Sequence, residues 1–335
     1  MELFPSGQIG ERIMSKVSIV IPNYNGIKYV ETCLDSLRKQ TMRDVEILLI
    51  DNGSADGSME LVRDKYPEVI LVEMGENTGF CGAVNEGIKR STSPYVLLLN
   101  NDTQATETFV EELYDSIEKD DRIFSCSAKM LQYNDRNRID DAGDFYCALG
   151  WAFARGKGAP SEKYDREEDI FFSCAGAAIY RKRILDEIGC FDENHFAYLE
   201  DADIGYRARI YGYRNRYAPS AVVYHVGSAS SGSVYNLFKT RYSSRNSIYL
   251  IYKNMPLLQI LLNIPFFLAG FLVKSLFFLS KGFGKEYILG IGRGFLLCRK
   301  GKNEGKKVPF RSGHLKNYGR IQLELWINMI RRLCR

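Results

Sequence analysis

The fold of this 335-residue chain is decided by the stretch VSIVIPNYNG at residues 17–26. It is a short apolar run followed by a polar turn, and apolar residues with helical spacing begin at Ile27. The same order recurs in VEILLIDNGSADGS (45–58) and VILVEMGENTGFCGAVNEGI (69–88), and a fourth run, YVLLLNND, covers residues 95–102. Because short apolar strands that alternate with helices are typical of a parallel sheet covered on both faces, the sequence predicts a doubly wound α/β domain.

Polar residues follow each of these four predicted strands, at the edge where doubly wound sheets bind their ligands. Any one of the turns is explained by the ordinary preference of turns for Asn, Asp and Gly. Four consecutive turns at one edge favour a binding cleft instead. The polar residues of these turns include Asn23, Tyr24, Asn25, Asp51, Asn52, Ser54, Asn77, Gly79, Asn100 and Asp102.

Composition and missing motifs exclude several classes of protein. With 45% hydrophobic and 26% charged residues, the chain can bury a core and is not a disordered tail. It has no G-x-G-x-x-G after the first strand and no P-loop, which argues against nicotinamide or flavin enzymes and Walker-type ATPases. The glycines at 290, 292 and 294 follow an apolar stretch and indicate close helix packing or membrane insertion.

The eight cysteines and the N-terminus indicate a cytosolic protein. No cysteine pair has zinc-site spacing, and the scattered positions predict reduced thiols. Residues 1–15 lack the apolar region of a secretory signal and are predicted to be an N-terminal extension.

Two acidic motifs and one histidine are candidates for chemistry. Asp102 ends the fourth strand, where one carboxylate suits Mg²⁺ or Mn²⁺ held mainly by substrate phosphates. The alternative is that Asp102 caps a helix starting near Thr106. His225 ends an apolar stretch and is either structural or a ligand, and both interpretations stay open. The small residues at 226–232 that follow it fit a mobile loop closing over a site.

The segment LEDADIGYRARIYGYR (199–214) places three acids in the predicted first turn of a helix. Acids there complement the helix dipole, and Arg207 lies one turn after Asp203 for an ion pair. Glu200 and Asp201 point about 100° apart around the helix, so they cannot both serve that pair. One of them is left for other work, such as removing a proton from an attacking hydroxyl.

Seven strings, taken together and in order, resemble a family 2 glycosyltransferase of the GT-A fold, closest to the bacterial rhamnosyltransferase branch. The resemblance runs from about residue 16 to residue 254. It rests on VSIVIPNYNG, VEILLIDNGSADGS, ENTGFCGAVNEGI, YVLLLNND, FSCAGAAIYRKRILDEIGCFDE, YLEDADIGYRARIYGY and VYHVGSASSG.

The resemblance implies a nucleotide-sugar site with a divalent metal, Mn²⁺ or Mg²⁺. The Asp51 carboxylate would accept a hydrogen bond from the ring imide of uracil or thymine. Asn100 replaces the first acid of the family's D-x-D, which leaves Asp102 and His225 as the implied metal ligands. The implied donor-binding residues are Pro22, Tyr24, Asn25, Asp51, Asn77, Gly79, Asn100, Asn101 and Asp102.

The resemblance also implies the acceptor side of the site. Asp201 matches the second acid of the family's ED pair and would be the catalytic base, with Glu200 orienting the acceptor. Cys174, Ala175 and Gly176 would form part of the acceptor pocket. A base opposite the leaving group implies inverting transfer of a sugar, with dTDP-rhamnose or a UDP-sugar as donor and a glycan hydroxyl, on a lipid carrier, as acceptor.

The C-terminal part predicts membrane association. MPLLQILLNIPFFLAGFLV (255–273) has no charge over 19 residues, long enough to cross a bilayer. Its polar residues and prolines favour two shorter interfacial helices broken near Pro265, with one span or a buried hairpin as alternatives. Residues 281–335 carry 14 basic against 3 acidic residues, a net charge of +11. The basic cluster predicted to meet anionic lipid comprises Arg299, Lys300, Lys302, Lys306 and Lys307.

These observations predict a catalytic domain at 16–232 and a helical membrane-associating region at 233–335, on the cytoplasmic side of a bacterial cell membrane. No nucleic-acid partner is expected, since the basic cluster lacks interleaved aromatic residues. Two rival interpretations stay open. A sugar-phosphate nucleotidyltransferase would normally show a basic, Gly-rich loop after the first strand, and PNYNG has no basic residue. A non-catalytic carbohydrate-binding protein would explain why Asn100 replaces an acid.

Overall fold

The computed structural model of the chain describes residues 15–227 and 236–333. Residues 1–14 of the predicted extension, residues 228–232 of the predicted closing loop, and Cys334 lie outside the described residues. The seven described cysteines are free thiols, as predicted.

The N-terminal part alternates strands and helices in the predicted order. Its elements are β1 (Val17–Asn23), α1 (Val30–Arg38), β2 (Val45–Asp51), α2 (Ser58–Lys65), β3 (Ile70–Glu73), α3 (Gly79–Arg90), β4 (Tyr95–Leu99), β5 (Thr103–Ala105) and α4 (Phe109–Glu118). The helix expected near Thr106 begins at Phe109 with Thr108 as its cap, and β5 separates it from Asp102. The capping alternative for Asp102 is therefore wrong.

The remaining elements complete the sheet and add a helical C-terminal part. They are β6 (Ile123–Gln132), β7 (Asp135–Asp141), β8 (Asp144–Cys147), β9 (Trp151–Ala154), β10 (Glu168–Ile170), β11 (Ala177–Arg181), α5 (Lys182–Ile188), α6 (Glu200–Ile210), β12 (Arg214–His225), α7 (Leu237–Asn254), α8 (Leu257–Ser280), α9 (Gly284–Asn303) and α10 (Leu315–Leu333).

One mixed sheet carries the strand order β10-β12-β6-β11-β4-β1-β2-β3, and its first four strands in sequence are mutually parallel. The antiparallel strand β11 pairs with β4 in the register Ala177 to Leu99. This brings the segment before β11 to the carboxyl end of β4, where Asn100 N–H donates to Gly176 O at 2.8 Å. Strand β12 pairs with β5, which sets His225 opposite Thr103. The predicted α/β fold is confirmed, and its topology gathers distant motifs at one edge.

Two apolar cores lie on the two faces of the sheet, one under α1, α2 and α4 and the other under α3, α5 and α6. A third core joins the C-terminal helices to the rest of the chain. There Tyr206 of α6 is buried with Phe267 of α8 and Leu325 of α10. The C-terminal helices therefore share apolar packing with the sheet-bearing part.

The predicted break near Pro265 is wrong, because α8 is one continuous helix of 24 residues with Pro265 inside it. Tertiary contacts lie on both sides of the proline and hold the two halves of the helix in place. Before the proline, Gln259 accepts from the Tyr206 hydroxyl at 2.7 Å and Asn263 donates to Gln322 at 2.8 Å. After it, Gly270 O accepts from the indole of Trp151. These contacts outweigh the one helix hydrogen bond that proline cannot donate.

Most of α8 is exposed, with 17% of its most apolar window buried, which also contradicts the buried-hairpin alternative. Among the described residues it is the one helix long and apolar enough to cross a membrane.

Two of the tail glycines serve close helix packing: a Cβ on Gly290 would lie 1.8 Å from Ser244 Oγ, and one on Gly294 would lie 2.7 Å from Arg245 O.

Candidate functional site

A cavity of about 1220 Å³ opens at the carboxyl ends of β1, β2 and β4. Its walls include residues from β9, from the start of α6 and from the first turn of α7. The predicted residues that line it are Pro22, Tyr24, Asn77, Gly79, Asn100, Asn101, Asp102, Cys174, Ala175, Gly176, Glu200, Asp201 and His225. The predicted metal-binding and acid residues therefore face one shared space.

Asn25 and Asp51 are absent from the cavity wall. The Asp51 carboxylate is buried and already accepts hydrogen bonds from Gly53 N–H at 3.1 Å, Ser54 N–H at 2.9 Å and the Asn23 amide at 3.0 Å. These bonds fix the turn after β2, and the contact between Asp51 and a base stays a prediction. Asn25 likewise ties two turns together, accepting from Ala55 N–H.

Asparagine side chains connect the turns at this edge. The Asn101 amide donates to Asn23 Oδ1 at 2.7 Å, and the Asn52 amide donates to Asn77 Oδ1 at 3.1 Å and to Gly79 O. Asn23 and Asn52 both line the cavity, although the family resemblance had assigned them no role. The turns therefore hold each other in place before any ligand arrives.

Asp102 and His225 form the predicted metal pair. Asp102 Oδ1 lies 3.3 Å from His225 Nε2, and His225 Nδ1 lies 2.7 Å from Asp140 Oδ2. Burial disfavours the charged imidazole, but the hydrogen bonds to Asp102 and Asp140 outweigh it and raise the pKa of His225 to about 9. Neighbouring ligands of an octahedral Mg²⁺ or Mn²⁺ lie about 3 Å apart, so this O and N pair fits such an ion once the proton leaves.

The acids of α6 divide into one structural acid and two that face the cavity. Asp203 is fully buried and accepts from Arg207 and Lys253, both at 2.9 Å. Although burial raises the pKa of Asp203, these two cations hold it far below its ordinary value. The predicted ion pair with Arg207 is thus made by Asp203, which leaves Glu200 and Asp201 for the cavity.

Burial makes Glu200 and Asp201 weak acids. Burial and the charge of Asp141, against the hydrogen bond from Ala202 N–H, raise the pKa of Asp201 to about 7. Burial and the neighbouring Asp201 raise the pKa of Glu200 well above its ordinary value. Glu200 Oε2 has no hydrogen-bond partner within the described residues. A carboxylate that titrates near neutrality has the basicity expected of a general base.

The segment that leads into α6 has strained backbone geometry. Phe196, Tyr198 and Leu199 have φ angles of 63°, 70° and 66°, in the left-handed region that residues other than glycine rarely adopt. The Asn246 amide of α7 donates to the carbonyls of His195, Ala197 and Tyr198 at 2.7 to 2.9 Å. Helix α7 thereby fixes the direction in which Glu200 and Asp201 enter the cavity. No sequence motif indicated this contact.

Another acid that the sequence analysis missed, Asp144, also lines the cavity. Ligand atoms of Asp144, Asp141 and Cys174 all lie within 4.8 Å of one another. Burial raises the pKa of Asp141 to about 6 and that of Asp144 well above its ordinary value. The acids in DDAGD (140–144) were the available signal.

Comparisons with known proteins show which family this chain is similar to. A family model described as "Glycosyl transferase family 2" matches residues 18–189, slightly more than half of the chain. The chain is similar to the N-acetylglucosaminyl-diphospho-decaprenol L-rhamnosyltransferase of Mycobacterium tuberculosis, with 27% identity over 237 residues, 64% of this chain and 77% of that protein.

Two solved structures share the fold. GalNAc-T7 with UDP, GalNAc and Mn²⁺ is 17% identical with a TM-score of 0.57, covering 72% of this chain and 48% of that one. The mannosyltransferase PcManGT from Pyrobaculum calidifontis, in complex with GDP-Man and Mn²⁺, is 15% identical with a TM-score of 0.51, covering 88% of both chains. At these identities the likeness concerns the GT-A fold alone. The matched family model, together with the motifs assembled around the cavity, shows that the chain belongs to glycosyl transferase family 2.

Proposed function

We propose that this enzyme transfers a sugar, with inversion, from a nucleotide-diphosphate sugar to a hydroxyl of a lipid-linked glycan. The donor to test first is dTDP-rhamnose, followed by UDP-sugars, and the first acceptor is an N-acetylglucosaminyl-diphospho-lipid, because the mycobacterial relative carries that name. The observation that carries the proposal is that Asp102 and Asp201 line one cavity.

The donor lies along the turns after β1, β2 and β4 in this proposal. Pro22 and Tyr24 contact the base, while Asn77 and Gly79 line the path of the sugar. The Asp51 carboxylate accepts a hydrogen bond from the ring imide of the base, in addition to shaping the turn. Gly79 has a φ of 76°, and a Cβ there would lie 2.6 Å from Phe196 O, so glycine is required at this close approach.

Asp102 and His225 would hold Mn²⁺ or Mg²⁺, which neutralises negative charge on the departing diphosphate when bound. Asp140 orients His225: when Nδ1–H donates to Asp140, the Nε2 lone pair faces Asp102. Asn100 contributes no charge, so the protein offers the cation one carboxylate, and substrate oxygens complete the coordination.

On the acceptor side, Asp201 removes the proton of the attacking hydroxyl as the new bond to the anomeric carbon forms. Proton removal by such a base contributes on the order of 10² to 10⁴ in rate. Attack opposite the leaving nucleotide inverts the anomeric configuration. Glu200 carries an unpaired buried oxygen and orients the acceptor.

The membrane is the proposed source of the acceptor, at the cytoplasmic face of a bacterial cell. Helix α8 is about 36 Å long, enough to cross a hydrocarbon core of about 30 Å or to lie along it. The large exposed apolar side chains of α8, α9 and α10 include Leu261, Leu268, Leu272, Leu276, Ile288, Leu289, Phe295, Leu296, Leu323, Ile327 and Ile330. The predicted basic cluster is exposed at the end of α9 and just after it, where anionic headgroups would attract it.

Purified enzyme incubated with each donor and acceptor, with and without Mn²⁺, tests the proposal by product mass analysis. Metal-stimulated formation of a glycosylated lipid and a nucleoside diphosphate supports it. Synthesis of a nucleotide sugar from a sugar phosphate would indicate a nucleotidyltransferase, and binding without turnover would indicate a non-catalytic protein. Asp201→Asn is expected to lose transfer and keep donor binding.

A further inference from the structure

We propose that Asp144 binds a hydroxyl group of the acceptor sugar and so helps select the acceptor. This inference rests on the proposed function, since it assigns a role within the same cavity. Neither the sequence motifs nor the named relatives give Asp144 a role.

The backbone around Asp144 is fixed from two sides. Asp144 starts β8, where it pairs with Ala154 of β9, and its carbonyl accepts from Phe171 N–H at 2.9 Å. Its N–H donates to Phe172 O at 3.2 Å. Ala154 and Phe172 line the cavity beside it. The carboxyl group is therefore presented to the cavity by rigid strands, which favours precise binding over a mobile contact.

Among the described residues Asp144 makes no ion pair, and burial raises its pKa more than the charge of Lys157 lowers it. Asp144 is 6% exposed, shares a side-chain hydrogen bond with Asp141, and lies near Cys174. Asp141 accepts from Gly143 N–H at 2.7 Å, which ties Asp141 to its own turn. A buried carboxyl group without a cation is stabilised by hydrogen bonds from neutral donors, and sugar hydroxyls are such donors.

Glu200 supplies an independent indication of a hydroxyl-rich ligand. It is 7% exposed, lines the same cavity, and its Oε2 lacks a partner among the described residues. Asp144 and Glu200 thus flank Asp201 with two further carboxyl groups. Hydroxyls next to the one that Asp201 deprotonates would satisfy them, which places Asp144 on the acceptor side.

The test compares wild type with Asp144→Asn and Asp144→Ala, using dTDP-rhamnose and a short-chain N-acetylglucosaminyl-diphospho-lipid. For both variants we expect the acceptor KM to rise about 10- to 100-fold, the usual effect of leaving a buried polar group without its hydrogen-bond partner. The donor KM and the rate of donor hydrolysis by water should stay within about twofold. Acceptor analogues that each lack one hydroxyl identify the hydroxyl that Asp144 binds. With one analogue, the acceptor KM of wild type should rise, whereas the acceptor KM of Asp144→Ala should rise no further.

Asp135→Asn is the control, because it makes the same substitution at an exposed acid of β7 that is absent from the cavity wall, and it keeps an oxygen for Asn137 N–H. Its acceptor KM should change less than about threefold. An unchanged acceptor KM in both Asp144 variants, or an equal rise in the donor KM, would overturn the inference. So would a lower number of Mn²⁺ ions bound by Asp144→Asn, since Asp144 would then be a cation ligand. If wild type transfers no sugar at all, the proposed function fails instead.

Discussion

Asn246→Ala should uncouple donor binding from sugar transfer. Asn246 is fully buried in α7, outside the segment matched by the family model, and contacts no predicted substrate site. Its amide donates to the carbonyls of Ala197 and Tyr198, and it shares the carbonyl of His195 with Arg245. The substitution therefore acts on the segment that delivers Glu200 and Asp201.

The expected magnitude follows from the strain in that segment. Each of Phe196, Tyr198 and Leu199 costs about 1 kcal/mol in the left-handed region, about 3 kcal/mol together. The partly buried carbonyls of Ala197 and Tyr198 lose this hydrogen bond, which costs at most about 1–3 kcal/mol each unless the segment relaxes to reach water. If the segment relaxes, it loses both the backbone strain and the penalty of the unsatisfied carbonyls. The strained conformation that presents Glu200 and Asp201 then becomes a minor state. A shift of about 3 kcal/mol corresponds to about 100-fold in kcat.

The assay measures kcat, the donor Kd and hydrogen exchange of residues 195–199. We expect kcat to fall about 100-fold, the donor Kd to change less than about threefold, and exchange in this segment to accelerate. Ser247→Ala is the control, because the Ser247 hydroxyl bonds only to Ser243 O within the same helix. If Asn246→Ala remains folded and its kcat stays within about threefold of wild type, the reasoning about strain is wrong.

Three further predictions concern pH, the metal and the membrane. Asp201 must be deprotonated to act as a base, and burial raises its pKa to about 7. The value of kcat/KM should therefore fall about tenfold per pH unit below pH 7 and level off above it. A profile that stays flat down to pH 5 would contradict the role of Asp201 as base. Asp102→Asn should reduce Mn²⁺-stimulated turnover at least about 100-fold, and a Mn²⁺ titration with unchanged stimulation would exclude Asp102 as a ligand. Replacing the exposed Leu268, Leu272 and Leu276 by Ser should weaken sedimentation with anionic vesicles, while the thermal unfolding midpoint changes little. Unchanged sedimentation would show that α8 does not contact the membrane.

Local pattern was sufficient for most of the catalytic fold. The strands at residues 17–23, 45–51 and 95–99 were evident as apolar runs, because a strand buried on both faces needs an apolar side chain at nearly every position. The polar residues in the turns after these strands then indicated the edge of the sheet that carries the cavity. The break predicted at Pro265 was wrong because tertiary contacts, invisible to local pattern, hold both halves of α8 in line.

The sequence by itself determined which residue types carry the chemistry: the acids at 102, 200 and 201 and the histidine at 225. Only the tertiary structure decided their roles. It paired Asp203 with Arg207 and Lys253, fixed Asp51 within a turn, and brought Asp144 and the Asn246 contact to the cavity. The reason is that the role of a carboxyl group depends on the charges, donors and burial around it. These come from segments 50 or more residues away in the chain, as for Lys253 and Asp203 or for His225 and Asp140.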